Sequence, residues 1–326
     1  MSYTANIIYF SSRADALKIK EKLTLAGIKS ELLPVRKCLI TDDISEYFVF
    51  DRNSVGSLEK NYLRDGKTKP AALLSIQKII LDRLLSETGG NSLFFVEESF
   101  IPECFYIKKA LFRNGISFFS FGRIAPEFGL SVVRGSLDAG FHEASFLSVK
   151  EQCSNAASKP PVFPEFNGIL AIDAPPDSVP VRYLRFFRSP LQLTKGIIRF
   201  YNSFETGKKH LPVFVYSAKH AQETYTSSER AVQFTKLLGE RGRTFSDFSE
   251  LPQRTTVLTW STKRFFQLLK NGFRPVPATK SLAAKILDPK IKSVAQLITY
   301  SPDGEDFCRI KAFLHNCELK NLDKIL

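Results

Sequence analysis

The sequence predicts an α/β protein built as two doubly wound, Rossmann-like domains facing a central cleft, followed by a helical tail. Three observations predict this. Short apolar runs alternate with helical patterns about four times between Asn6 and Phe121. The alternation restarts at Gly168, after the proline cluster Lys159-Pro160-Pro161-Val162-Phe163-Pro164. The composition, 44% hydrophobic with 29 Phe in 326 residues, is ample for a packed interior.

Asn6 to Phe10 reads as the first strand, Ser11-Ser12-Arg13 as a turn, and Ala14 to Ala26 as a helix with Leu17, Leu23 and Leu25 among Lys and Glu. Gly27 caps that helix, and Ile28 to Val35 is extended. Glu46 to Asp51 is expected as a strand, and Ala71 to Glu87 has helical spacing. Ser92 to Val96 is a buried strand with Glu97 and Glu98 at its carboxyl end. A helix over Ile101–Arg113 and a strand over Ile116–Phe121 follow. From Gly122 to Pro164 no period is legible, and the prolines at its end read as a linker.

In the second half, strands are expected at Gly168–Asp173 and Leu211–Tyr216, a helix over Ser228–Gly239 and a loop over Gly242–Pro252. Thr255–Ala278 then reads as one βαβ unit: a β-prone run, Ser261-Thr262 as N-cap chemistry, an amphipathic helix, Asn271-Gly272 as its stop, and Arg274-Pro275-Val276 as the next strand. Ser281 to Leu326 reads as mostly helical. The expected division is residues 1–160, 165–300 and a helical tail 301–326.

The net charge of +13 favours anionic partners: nucleic acid, nucleotide-activated substrates or acidic lipid headgroups. A role in solubility alone stays open. No apolar run approaches the ~20 residues of a membrane span. The start, MSYTANIIYFSSR, has too short an apolar run for a secretory leader, and five scattered Cys suit a reduced, cytoplasmic protein. No Gly-rich phosphate loop of the G-x-G-x-x-G or Walker kind occurs. Cys308, His315 and Cys317 match no zinc spacing and lack a fourth ligand, so no metal or cofactor is expected.

A helix N-terminus presents N–H groups and a partial positive charge, so Ser261 and Thr262 either cap their helix or grip a phosphate. Ser12 and Arg13, in the first βα turn, either cap or touch a substrate anion. Lys219-His220 follows a strand end, where a cation can offset growing charge or an imidazole can serve structure. Glu97 and Glu98 alternate to opposite sheet faces, so at most one meets a cleft, and Glu98 is preferred. Arg182, Tyr183, Arg185, Phe186, Phe187, Arg188, Lys195, Arg199, Phe200 and Tyr201 mix cations with aromatics. Such a strip suits nucleic acid, an anionic membrane or a core-facing helix with solvated cations.

Lys219-His220 after a strand, with Ser261-Thr262 opening a later helix and Leu268-Leu269, Gly272 and Pro275-Val276 following in register, resembles two-domain glycosyltransferases of the GT-B type. The nearest are bacterial sialyltransferases and the Kdo transferases of surface polysaccharide synthesis. This chain departs from their pattern in two places. Gln267 stands near the place of their Glu, and Ala218 and Ala221 flank the Lys-His pair where they carry prolines. The resemblance runs from Lys219 to Val276.

It implies metal-independent transfer of an acidic sugar from a CMP-activated donor to an anionic glycan or glycolipid acceptor, at or near the inner membrane surface. It further implies donor binding by Lys219, Ser261 and Thr262, a catalytic His220, and a general base from the first domain, for which Glu98 is the candidate. The other readings are a nucleic-acid-binding protein and a nucleotide-binding α/β protein of another activity.

Overall fold

The computed structural model describes residues 4–35, 78–79, 81–86, 88, 92–98, 102–123, 129–136, 165–173, 190–204, 211–217, 228–259, 262–278, 293–300 and 315–322. The chain divides into two compact units. One comprises Met1–Leu137, Phe141–Phe146 and Leu314–Leu326, and the other Asp138–Gly140 and Leu147–Phe313. The expected linker at Lys159–Pro164 and the expected strand at Glu46–Asp51 lie outside the described residues.

In the first unit the apolar runs become β1 (Thr4–Tyr9), β2 (Lys29–Pro34), β3 (Ser92–Glu97) and β4 (Phe118–Gly122), and a short β5 (Ser131–Arg134) follows. The sheet order is β2-β1-β3-β4-β5. All pairs are parallel except β4–β5, which is antiparallel. Alternation divides the side chains between the faces. Ala5, Ile7, Phe95, Phe119 and Phe121 pack with Ala16, Ile19 and Leu23 of α1 (Arg13–Leu25). The helix α2 (Pro102–Arg113) joins β3 to β4 and buries Cys104, Ile107 and Leu111. Residues 81–86 are helical, with Leu81 and Leu84 buried.

The end of the chain belongs to this unit rather than to a tail of its own. The N–H of Val132 donates to the carbonyl of Cys317 (2.7 Å), and the N–H of Leu319 donates to that of Leu130 (2.9 Å). Leu322 is fully buried among the side chains of the α1 face. Backbone groups of β5 that would otherwise form a sheet edge are thereby paired.

The second unit is a five-stranded parallel sheet in the order β10-β9-β6-β7-β8. Its strands are β6 (Leu170–Ile172), β7 (Val213–Tyr216), β8 (Gly242–Phe245), β9 (Thr256–Thr259) and β10 (Arg274–Pro277). Its helices are α3 (Pro190–Phe204), α4 (Ser228–Leu238), α5 (Thr262–Lys270) and α6 (Val294–Thr299). Leu170, Ile172, Val213, Val215 and Leu258 face α3, α4 and α6, whereas Ala171, Val257 and Phe245 share the opposite face with Leu268 of α5. Helices therefore cover both faces, as a parallel sheet requires.

Three details fix this packing. Gly196 lets α6 close on α3, since a Cβ there would lie 2.2 Å from Val294 Cγ2. Gly272, at φ 78°, ends α5 in the left-handed conformation, with the Phe273 N–H returning to the Leu268 carbonyl at 3.1 Å. Arg274 is buried and donates to Thr256 Oγ1 (2.9 Å), to the Ile298 carbonyl (2.7 Å) and to the Tyr300 carbonyl, so it caps the carboxyl end of α6. Its burial lowers the guanidinium pKa to about 10.

Two strands escaped the sequence pattern. β8 lies in the stretch expected as loop. It is an edge strand with only Phe245 fully buried, so its sequence shows no alternation of apolar residues. β5 is four residues long and falls where no period was legible.

Candidate functional site

In an open parallel sheet, ligands bind at the carboxyl ends of strands where the strand order reverses. The first unit has that point between β1 and β3, and the second between β6 and β9.

At the first of these points the chain fills its own anion seat. The carboxylate of Glu97 accepts hydrogen bonds from the backbone N–H groups of Phe10 (2.7 Å), Ser11 (3.0 Å) and Ser12 (3.1 Å), and from Ser11 Oγ (2.7 Å). Glu97 is 3% exposed. Its charge thus sits where a helix N-terminus favours an anion. Ser12 is engaged through its backbone, and Arg13 beside it is exposed.

Glu98 points to the other face, as alternation requires. Its carboxylate receives Lys108 Nζ at 2.6 Å and the hydroxyl of Ser136 at 3.2 and 3.3 Å. The two ion-pair partners are 1% (Lys108) and 8% (Glu98) exposed. Nearby on the same sheet edge, Arg123 holds Asp15 of α1 through two hydrogen bonds, 2.9 and 3.2 Å. The Asp15 hydrogen bond and charge raise the Arg123 pKa above its usual value. On α2, burial lowers the Lys109 pKa to about 8, with a contribution from Arg113.

At the second point β6 is followed by Asp173, whose N–H donates to the Leu258 carbonyl of β9 (3.0 Å). Asp173 Oδ2 accepts from Thr259 Oγ1 at 2.7 Å, and Oδ1 lies 3.4 Å from Arg264 Nε. Thr262, the first residue of α5, is buried at the same strand ends. The Arg264 guanidinium lies 5.2 Å from the Phe248 ring centroid and 5.9 Å from that of Tyr216. Phe248 and Tyr216 stack at 5.6 Å. The 3-10 turn carrying Phe248 is fixed by a capping box between Asp247 and Glu250.

The first turn of α5 contains Lys263 and Arg264 and no acidic residue. Cations at that end oppose the helix dipole, at a typical cost of about 0.3–1 kcal/mol each. An anion placed there would offset the dipole and both cations together.

Of the residues singled out in the sequence, Thr262 stands at the second strand-order reversal, and Ser12, Arg13 and Glu98 at the first. Lys219, His220 and Ser261 lie outside the described residues. Compared with protein-family models, with curated proteins and with solved structures, the chain gives no match.

The cation-aromatic strip is described from residue 190 onward. There it is a helix that buries Phe200 and Tyr201 in the core and exposes Lys195 and Arg199. Arg182, Tyr183, Arg185, Phe186, Phe187 and Arg188 lie outside the described residues. His315 Nδ1 pairs with Glu318 at 2.9 Å, and Cys317 is buried, which pushes its thiol pKa up. Among the described residues no group of three or more His, Cys, Asp or Glu is placed to hold a metal ion. None of their helices is long and apolar enough to cross a membrane.

Sequence reasoning missed Asp173 and Arg264. The run Thr262-Lys263-Arg264 without an acid was the available signal, because a helix start normally favours Asp or Glu.

Proposed function

We propose that this protein is a glycosyltransferase of the GT-B type. In this reading it moves an acidic sugar from a CMP-activated donor to an anionic glycan or glycolipid acceptor. The observation that carries the reading is the start of α5 at the β6–β9 crevice of an all-parallel sheet, with Thr262, Thr259 and Asp173 at one strand edge. The position suits a phosphoryl group, which would receive helix N–H groups. The Lys-His and Ser-Thr segments that resemble sialyltransferases and Kdo transferases support the choice of a CMP-sugar over other nucleotides.

The first unit supports this division of labour. Its own helix start is already met by Glu97, so a donor phosphate belongs on the second unit. Glu98 is the proposed base. To act, it would exchange the Lys108 ammonium or the Ser136 hydroxyl for the acceptor hydroxyl, since a base must reach hydrogen-bond distance of the proton it takes. Lys219 and His220 are the proposed cations for the departing phosphate. The net charge of +13 suits an anionic glycolipid acceptor and contact with the inner membrane surface.

The nucleic-acid reading is less well supported. The described aromatic residues of the basic strip, Phe200 and Tyr201, are in the core and offer no ring to a base.

The test is thermal shift with a panel of nucleotides. CMP and CMP-sugars should raise the melting temperature of the full chain, and Ser261→Ala with Thr262→Ala should remove the shift. Equal shifts in that double variant, or none with any nucleotide, would reject the reading.

A further inference from the structure

We infer that Ser120 and Ser131 of the first unit line a subsite for uncharged sugar hydroxyls beside Glu98. The inference rests on the proposed reading of Glu98 as the base and names the part of the acceptor that would meet it, a neutral sugar ring. Strand alternation places the groups. Phe119, Phe121 and Val132 pack on the α1 face of the sheet, so Ser120, Gly122, Ser131 and Val133 lie on the opposite face. In the β4–β5 ladder Gly122 stands opposite Ser131, and Ser120 opposite Val133. On the other side of Gly122 is Glu98, whose Cβ lies 3.2 Å from where a Cβ on the glycine would be. The glycine therefore puts no side chain between Ser131 and Glu98. Ser120 and Ser131 are diagonal neighbours across this ladder, a relation that sets Cβ atoms about 7 Å apart. One hydroxyl-bearing ring can reach both.

Both serines are fully buried, and neither Oγ has a hydrogen-bond partner among the described residues. A buried hydroxyl left without a partner typically costs about 1–3 kcal/mol, which alanine at the same position would avoid. Two such hydroxyls on one sheet edge, next to the Glu98–Lys108 pair, depart from what stability alone favours. Departures of this kind concentrate at functional sites. A serine hydroxyl donates and accepts without carrying charge, as a sugar hydroxyl does, so the two match each other. Neither serine brings a charge to meet an anion, and Lys108 Nζ is already bonded to Glu98 at 2.6 Å. Glu98 and Gly122 are half-buried where the serines are fully buried, so the approach is from the carboxyl edge of the sheet. Entry takes the same exchange at Glu98 that the proposed base requires.

The experiment is a ligand-observed NMR titration of the full chain with neutral methyl hexosides and methyl N-acetylhexosaminides, with a methyl hexuronide as the anionic comparison. The wild type is compared with Ser120→Ala, Ser131→Ala, their double variant and Ser30→Ala. Ser30 is the control, because its Oγ is also buried without a partner among the described residues but lies on the α1 face, opposite Ala5. Thermal melts accompany each protein. A neutral glycoside should bind the wild type, with affinity lower by about threefold to tenfold in each single variant, the loss expected for one hydrogen bond. Ser30→Ala should bind as the wild type does. Both single variants should melt at or above the wild-type temperature, since each removes a buried hydroxyl that has no partner to lose. Melting well below the wild type in both would show that the hydroxyls are already bonded within the protein, and would overturn the inference. Tighter binding of the hexuronide than of its neutral counterpart would overturn the ligand class. If no neutral glycoside binds, or the double variant binds it within twofold of the wild type, the inference fails, and a wild-type thermal shift with CMP would leave the glycosyltransferase reading standing. If glycosides bind through the serines but no nucleotide shifts the melting temperature, the inference stands and that reading fails.

Discussion

Lys108 and Glu98 meet at 2.6 Å with both side chains withdrawn from water. A buried pair of this kind is weak evidence for net stability, but removing one partner leaves a charge without its counter-ion and typically costs about 3–5 kcal/mol. Lys108→Met should therefore destabilise the first unit by that amount in denaturant unfolding. The double replacement Lys108→Met with Glu98→Gln should recover most of it. Retention of full stability in Lys108→Met would show that the pair is not closed in solution.

Glu97 gathers three backbone N–H groups and one hydroxyl. Glu97→Ala should cost at least about 1.5–3 kcal/mol, the range for one hydrogen bond to a charged group. Glu97→Gln should cost less, because one acceptor oxygen remains. Formate should raise the melting temperature of Glu97→Ala by more than that of the wild type, because only the variant has the three N–H groups vacant. Equal responses in both proteins would mean that the vacated turn takes no anion.

The end of the chain is structural for the first unit. Leu322 is fully buried beside α1, so Leu322→Ala should cost about 2–5 kcal/mol, as for other fully buried leucines. Removing residues from Cys317 onward should cost more, since the partners of the Val132 N–H and of the Leu130 carbonyl go too. Hydrogen exchange at Val132 should speed up in the truncated chain. Unchanged exchange would place the edge of β5 elsewhere.

Lys109 gives a pH signature. Its folded pKa is about 8 against 10.5 for the unfolded side chain. Between those values the unfolded chain holds a proton that the folded chain has released, so stability rises with pH. Cys317 acts in the opposite sense above its ordinary thiol pKa of 9.0, because its folded thiol stays protonated where the unfolded one ionises. The rise from Lys109 is therefore clearest between about pH 8 and pH 9. Denaturation midpoints across that window should climb in the wild type and flatten in Lys109→Met.

The strands that read clearly were those buried on both faces. Phe94, Phe95 and Val96, or Val257 and Leu258, form runs that water cannot border, and they announce themselves without any partner in view. β8 did not, since Arg243 and Thr244 are exposed on the sheet edge and Gly242 carries no side chain. The same distinction governs the site. The helix start at Thr262 was legible because helix capping is local chemistry. Glu97 as the occupant of the first βα turn was not, because its partners are separated from it by more than eighty residues and only the β1–β3 pairing brings them together. Asp173 and Arg264 were hidden for the same reason, since the contact depends on β6 and β9 lying side by side.

Synthesis runs from the amino end, and the order matters because of residues 315–322. The ribosome delivers the whole of Leu147–Phe313 before it delivers the strip that pairs with β5. The later-encoded sheet can thus finish folding while the earlier one still lacks its last partner. Chains that stop before Cys317 should carry a settled second unit and a first unit still open along β5, and restoring residues 317–322 should close it.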